Sequence, residues 1–339
     1  MSFLIRSAED RDVGQLANLA RQFQLLNMPA DEKILSEKIQ RSHKAFLGKA
    51  RRDEAEYVFV LEDTEVQQIV GCSLILGKHG TRRIPHNFYK VIKREKYSEE
   101  LGVGFIHQVL QFKQDFDGPT EIGGLLVDRS YRRRPEKLGR QISLIRFAFM
   151  GLLPERFEKR VLCELTAPHT DEGRSEFWEA LGRRFTGLNY QEADRISQSN
   201  KEFIRSLFPE DDIYMTLLDS RARLVLGRVG EATLPAKHLL ESEGFQYVNE
   251  VDPFDGGPHF GCATQDIRTV REGSRIQVQL QEKAAFTQVC LLGFMKGSQF
   301  RGYQSVFSQQ DGMLALPRAT MDLLELKNGD EVFFSPLKL

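Results

Sequence analysis

The stretch that most constrains this chain runs from Glu121 to Met150, EIGGLLVDRSYRRRPEKLGRQISLIRFAFM. An apolar run from Ile122 to Val127 ends at Asp128, and a basic, turn-prone loop follows from Arg132 to Lys137. Gly139 then opens an apolar-periodic segment (Ile142, Leu144, Ile145, Phe147, Ala148, Phe149) whose spacing predicts a buried helix. Strand, basic loop and helix N-terminus, in that order, build an anion site. First-turn N–H groups lack intrahelical partners and stand at the positive end of the helix dipole. Arg132, Arg133, Arg134, Lys137 and Arg140 add charge around them. A pyrophosphate-bearing cofactor is the expected ligand, with a solvated basic loop between two core elements as the plainer alternative.

Neither a Walker A pattern nor G-x-G-x-x-G is present, which argues against an ordinary nucleoside triphosphate or dinucleotide. The arrangement is instead similar to the coenzyme A site of the GNAT superfamily of acyltransferases. Gly139 matches the glycine of that superfamily's loop, and Gln141 stands where a small residue is usual.

At 339 residues the chain has room for one to three domains. A net charge of -1 excludes a strongly basic polymer binder as the whole-chain reading. Basic stretches remain at Lys78 to Arg83 and Lys90 to Lys96, the second flanked by Tyr89 and Tyr97 as in single-strand binders. Glu95, Glu99 and Glu100 favour a solvated face there, so no nucleic-acid partner is expected. Cys72, Cys163, Cys262 and Cys290 show no C-x-x-C spacing, which predicts buried free thiols and neither disulfides nor a metal site. The first residues do not read as a signal peptide, and no run approaches the ~20 apolar residues of a membrane helix. A cytoplasmic, soluble chain is expected.

In chain order, Phe3 to Arg6 reads as a strand, followed by a helix that Asp10 or Asp12 caps. Asp31 starts a second helix with Ile34, Leu35, Ile39 and Phe46 on one face, and Tyr57 to Leu61 pairs with Ile69 to Leu76 in a hairpin. Further strands are expected at Phe88 to Ile92 and Val103 to Phe112. After the long helix, Arg160 to Leu165 is a buried strand ending among Glu164, Thr166, His169, Asp171 and Glu172, and ligands collect at such strand ends. Short helical pieces follow, among them Lys201 to Phe208, and Thr233 is expected to cap a helix running to Glu243. From Ser274 the pattern turns to short strands with one helix, Ala319 to Leu326.

Several stretches together resemble the arginine N-succinyltransferases. They are YVFVLEDTE (Tyr57 to Glu65), EIGGLLVDRSYRR (Glu121 to Arg133), DEGRSEFWEALGRRF (Asp171 to Phe185), NKEFI (Asn200 to Ile204), ESEGFQYVNEVDPFDGGP (Glu241 to Pro258) and ALPRATMDLLELKNGDEV (Ala315 to Val332). The resemblance runs in register over essentially the whole chain. It implies transfer of succinyl from succinyl-CoA, or another acyl group from its acyl-CoA, to the α-amine of arginine or a related cationic amine. The setting it implies is cytosolic arginine catabolism, without a metal, by a homo-oligomer. The family's acyl-CoA contact falls on Leu125. With it, Val127, Arg133, Arg134, Leu138, Gly139, Arg140 and Gln141 are the expected cofactor-binding residues.

The departures from the family fall on the chemistry. Its catalytic histidine, in V-H-P-x-T-x-P-A, corresponds here to Gly230 in VGEATLPA, and the methionine, arginine and glycine after Glu164 are replaced by Leu165, Thr166 and Ala167. The loop after Arg133 is two residues longer and lacks the family's Gly-Asn-Gly run. Substitutes for the missing base are Glu231, Glu164 and His169, each with a plainer role. Glu231 suits a first-turn acid facing the helix dipole, and His169 suits a solvated loop. Glu164, an acid ending a buried strand, needs a partner that a cationic substrate would supply. Two functions stay open: an active acyl-CoA:amine acyltransferase, or a catalytically impaired homologue serving as a non-catalytic or regulatory partner subunit. The expected fold is α/β (α+β) and GNAT-like. Residues 1–270 would form the acyltransferase region, with its acyl-CoA site at about 121–150 and a helical excursion at about 171–230. Residues 271–339 would form a β-rich module.

Overall fold

The structure, a computed structural model, describes residues 2–23, 28–197, 202–282, 286–310 and 312–337. The chain mixes helices and strands throughout, the class expected. It divides into two compact units: residues 1–78, 119–161 and 263–339, and residues 79–118 and 162–262. The expected boundary at residue 270 falls inside the first unit. No described helix is long and apolar enough to cross a membrane.

In the first unit, strand Phe3–Ser7 pairs antiparallel with Glu56–Asp63, which pairs with Gln68–Leu76, which pairs with Thr120–Val127. Helices Val13–Ala20 and Glu32–Phe46 contribute Leu16, Leu19, Leu35 and Ile39 to a core with Val58, Val60 and Leu74. Asp31 caps the second helix as expected, accepting from the amides of Lys33 at 2.9 Å and Ile34 at 3.0 Å. Asp12 does not act as a simple cap. Its buried carboxylate pairs bidentately with Arg6 at 2.7 and 2.8 Å and takes the Glu9 amide at 2.8 Å. A buried charge is retained only where paired, and losing one partner of such a pair costs about 3–5 kcal/mol.

The tail of this unit is a closed barrel. Strands Ser274–Leu280, Gln288–Lys296, Gln299–Gln310, Met313–Leu316 and Glu331–Leu337 each pair with two others of the set, so the ring has no free edge. Helix Arg318–Leu324 adds Met321 and Leu324 to its core. The long helix, Leu138–Leu152, is buried along nearly its whole length, as its periodicity predicts. It also buries Arg146, whose guanidinium donates to the Ser143 hydroxyl at 2.7 Å and to the Gly123 carbonyl at 3.3 Å.

The second unit is built on a hairpin much longer than its apolar residues announce. Strands His86–Ser98 and Val103–Asp115 pair over their full length. Strand Gln246–Val251 joins the first of them through Tyr89 and Lys90, and Pro258–Ala263 pairs with Gln246–Val251. Short helices from Glu176–Ala180 to Leu234–Ser242 form the helical excursion. Residues 198–201, including the start of the expected Lys201 helix and the first two residues of NKEFI, lie outside the described residues, and the helix described is Glu202–Leu207. Trp178 anchors this core. It stacks on Phe254 at 5.2 Å, worth about 0.5–1.5 kcal/mol beyond its buried area, and its indole N–H donates to Leu188 O at 3.0 Å. The basic stretch from Lys90 is partly ion-paired: Lys90 meets Glu250 at 3.0 Å and Arg94 meets Asp212 at 2.8 Å, while Tyr89 is fully buried.

Candidate functional site

In the first unit, the strand entering the basic loop is bulged. Cys72 faces Leu126 and Leu74 faces Gly123, so Gly124 and Leu125 together oppose a single residue. Gly124 has φ +57°, and a Cβ there would lie 2.8 Å from side-chain atoms of Leu74 and Met28. Glycine is therefore required, and the bulge re-aims the backbone at half-buried Leu125, while Val127 is buried. Asp128 then ties the loop down. It accepts from Ser130 N at 2.8 Å and Gln22 Nε2 at 2.7 Å.

The loop is rich in cations held by aromatic faces. Arg132 lies 4.6 Å from the Phe23 ring centroid and donates to Val127 O at 3.0 Å. Arg134 lies 4.0 Å over Tyr131, whose hydroxyl donates to Asp63 at 3.1 Å. Partial burial and the neighbouring charge of Arg129 lower the Arg132 pKa against the pull of Asp128. Arg133 is exposed and turns the chain with φ +60°, and Lys137 repeats the left-handed conformation at φ +53°. The helix it introduces has no acid in its first turn and no side-chain cap. Arg140 and Gln141 donate to Lys137 O at 2.9 and 3.2 Å, so the amides of buried Leu138 and half-buried Gly139 precede the helix's own bonding. The buried Gln141 side chain donates to Glu136 O at 2.8 Å, closing the loop.

The second unit gathers the other candidates. Loop DPFDGGP (Asp252 to Pro258) stitches neighbouring segments together. Asp252 accepts from the amides of Phe254 at 2.7 Å and Asp255 at 3.1 Å. Asp255 accepts from Ala167 N at 2.9 Å and Gly257 N at 2.7 Å. A Cβ at Gly257 would sit 2.1 Å from Leu165 O, which explains the glycine. Burial and the charge of Asp252, opposed by those two amides, raise the Asp255 carboxyl to about 7. The same neighbourhood receives Gly230, whose amide donates to Thr166 O at 2.9 Å.

His169 is not the solvated loop histidine that its sequence context suggests. It is half-buried, packs its ring 5.2 Å from Tyr190, and places Nδ1 3.0 Å from Ala167 O. A carbonyl only accepts, so Nδ1 carries the proton and Nε2 keeps its lone pair. That Nε2 is buried without a hydrogen bond, and burial lowers the ring's pKa against the Ala167 contact. Glu231 is exposed and opens a 3-10 turn, Glu231–Thr233. Thr233 makes no cap hydrogen bond, contrary to expectation, because this turn already holds its backbone in the helical region at φ -100° and ψ -11°.

Glu164 finds its partners inside the protein. His86 Nε2 lies 3.2 Å from its Oε1, His79 Nε2 3.7 Å and His259 Nε2 3.8 Å. Burial alone would raise its pKa, but the short contact with His86 and the charges of His259, His79 and His86 hold the carboxyl well below its ordinary range. Sequence reasoning missed all three histidines and Asp255. The signal available was FDGGP itself, which runs directly into His259.

With this geometry described, the chain can be set beside known proteins. The family profile for the arginine N-succinyltransferase beta subunit matches residues 3–269. The arginine N-succinyltransferase of Enterobacter sp. (strain 638) is 34% identical over 97% of this chain and 96% of its own. That of Citrobacter koseri is 33% identical over the same shares. The solved arginine/ornithine succinyltransferase subunit AI of Pseudomonas aeruginosa superposes with a TM-score of 0.88 at 27% identity, covering 100% of this chain and 99% of that one. Profile, relatives and fold agree along the length, and the chain belongs to the arginine N-succinyltransferase family.

Proposed function

We propose that this chain is a GNAT-like acyl-CoA acyltransferase that moves succinyl from succinyl-CoA to the α-amine of arginine or a related cationic amine. The observation that carries this reading is the acid-free, uncapped start of helix Leu138–Leu152 beside an arginine-rich loop, in a chain of this family. The amides of Leu138 and Gly139, with Arg133, Arg134 and Arg140, would take the pyrophosphate. The bulged backbone at Leu125 and Val127 would pair with the amides of the pantetheine arm, and Gln141 would hold the loop in place. No metal enters this chemistry. A homo-oligomer in the cytosol is the setting we propose, in keeping with four free cysteines.

For the reaction itself, the amine nitrogen forms a bond to the thioester carbonyl carbon and the C–S bond breaks. The amine sheds a proton and the departing thiolate gains one. Of the three candidate bases, His169 is the one we assign. Its tautomer leaves Nε2 able to accept, and its lowered pKa keeps it neutral at pH 7. Glu164 is held ionised among histidines and is a weak base, and Glu231 is exposed at a turn. The test is thiol release by the purified chain with succinyl-CoA and arginine. Turnover that falls sharply in His169→Gln supports the assignment, and no release with any acyl-CoA and basic amine overturns the enzyme reading.

Gly230 favours a second reading, a non-catalytic partner subunit. It places backbone alone where the family carries its histidine. Acyl-CoA binding without turnover by the isolated chain would decide for it.

A further inference from the structure

We infer that His79, His86, His259 and Glu164 form a binding site for one divalent transition-metal ion of the zinc class. Nothing in the proposed acyl transfer uses this cluster. Three imidazole nitrogens surround one carboxylate oxygen at 3.2, 3.7 and 3.8 Å. Donors bound tetrahedrally at the usual zinc distances of 2.0–2.1 Å stand about 3.4 Å from one another. His79, His86 and Glu164 already stand within 4.8 Å of one another, as do Glu164, Asp252 and His259, so the two sets meet at Glu164 and His259 closes in on an ion held by the first.

The environment is that of a built site. His86 is 3% exposed and His259 is fully buried, and the Nε2 atoms of both are buried without a hydrogen bond of acceptable geometry. The rings pack on one another, His79 to His86 at 4.5 Å and His86 to His259 at 5.2 Å, so the three imidazoles hold one another in place. Behind His259, Glu250 Oε2 faces Nδ1 at 3.8 Å and is itself held by Lys90 at 3.0 Å. A carboxylate on the far nitrogen is the usual orienting partner of a metal-bound histidine. Asp252 offers a second carboxylate within 4.8 Å of Glu164 and His259. Three imidazoles and a carboxylate suit zinc, cobalt or iron and not magnesium or calcium, which take oxygen ligands.

The four ligands come from separate places: the residues before strand His86–Ser98, its first residue, the end of Arg160–Glu164, and the start of Pro258–Ala263. A bound ion would brace all of these against one another beside the loop that holds Asp255. Its role is structural, and binding would stabilise the fold by mass action.

The experiment is titration of the metal-stripped full chain with CoCl2, followed by visible absorption, and with ZnCl2, followed by thermal unfolding. One cobalt per chain with intense tetrahedral bands, displaced by zinc, and a zinc-dependent rise in Tm are expected. His86→Gln and Glu164→Gln should abolish the bands. His79→Gln, at the most exposed of the three histidines, should weaken or shift them while leaving the fold intact, and it decides the matter if the buried variants do not fold. Absence of cobalt bands and of any zinc effect on Tm in the unmodified chain overturns the inference. So does an unchanged spectrum in His79→Gln, which would put the ion elsewhere.

Discussion

His169 and Gly230 meet at one carbonyl group. The imidazole Nδ1 of His169 lies 3.0 Å from Ala167 O, and a Cβ built on Gly230 would lie 3.0 Å from the same oxygen. Gly230, where the resemblance sets the family's histidine, and His169 thus both approach the Ala167 carbonyl. In the proposed reading, the base missing at Gly230 is supplied by His169, whose Nε2 makes no hydrogen bond.

Replacing His169 by Gln should lower kcat by about 10²–10⁴-fold while leaving acyl-CoA binding intact. The pH profile is the sharper check. The base must be neutral to act, and burial lowers its pKa from 6.5. Activity should hold on the alkaline side and fall as pH drops through a midpoint below 6.5, and the variant should lose that limb.

Gly230→His restores the family residue but not freely. The new Cβ presses on Ala167 O at 3.0 Å and on Ala167 C at 3.4 Å, so the His169 anchor must yield by a few tenths of an ångström. Gly230→Ala should show the steric cost alone, as a modest fall in Tm. Gly230→His with His169→Gln should recover part of the activity lost in His169→Gln, measured by thiol release.

Gly124→Ala should cost about 1–3 kcal/mol of stability through its left-handed backbone alone, before its contact with Leu74 and Met28 is counted. Denaturant unfolding measures that cost. Acyl-CoA affinity should fall with it, because the bulge aims the Leu125 backbone.

Arg134→Gln and Arg140→Gln should each raise KM for acyl-CoA roughly three- to tenfold with little change in kcat, and added salt should narrow the difference. Steady-state kinetics at two ionic strengths would show it. An unchanged KM in both would remove the loop from the pyrophosphate site.

Asp255 gives stability an unusual slope. Folding raises its pKa from 3.8 to about 7, so the folded chain keeps a proton that the unfolded chain releases. The associated stability is fully present below pH 3.8 and is lost as pH rises towards 7. Comparing Tm at pH 5 and pH 8 in the native chain and in Asp255→Asn isolates this contribution, and the variant should lose it even if its absolute Tm is lower.

Local chemistry was legible in the sequence wherever one segment decided it. The run from Ile122 to Phe149 announced strand, loop and helix because apolar spacing is a property of a single stretch, and Asp31 announced its helix because its partners lie two and three residues on. The rest depended on residues far apart in the chain. Asp12 read as a cap, but Arg6 claimed it across the turn. The hairpin from His86 outran its apolar pattern because charged residues continue the pairing to Ser98. Positions 79, 86, 164 and 259 share no spacing, and only the folding of four segments makes them neighbours.

The pairing of Ile5 with Gly302 carries a consequence for how the molecule is made. Strand Phe3–Ser7 is synthesised long before Gln299–Gln310, the strand that completes one of its two edges. Until then that edge is open to any extended chain nearby. A nascent protein stalled before residue 299 should therefore be a better client for chaperones than its finished counterpart, whatever stability its earlier segments have already gained.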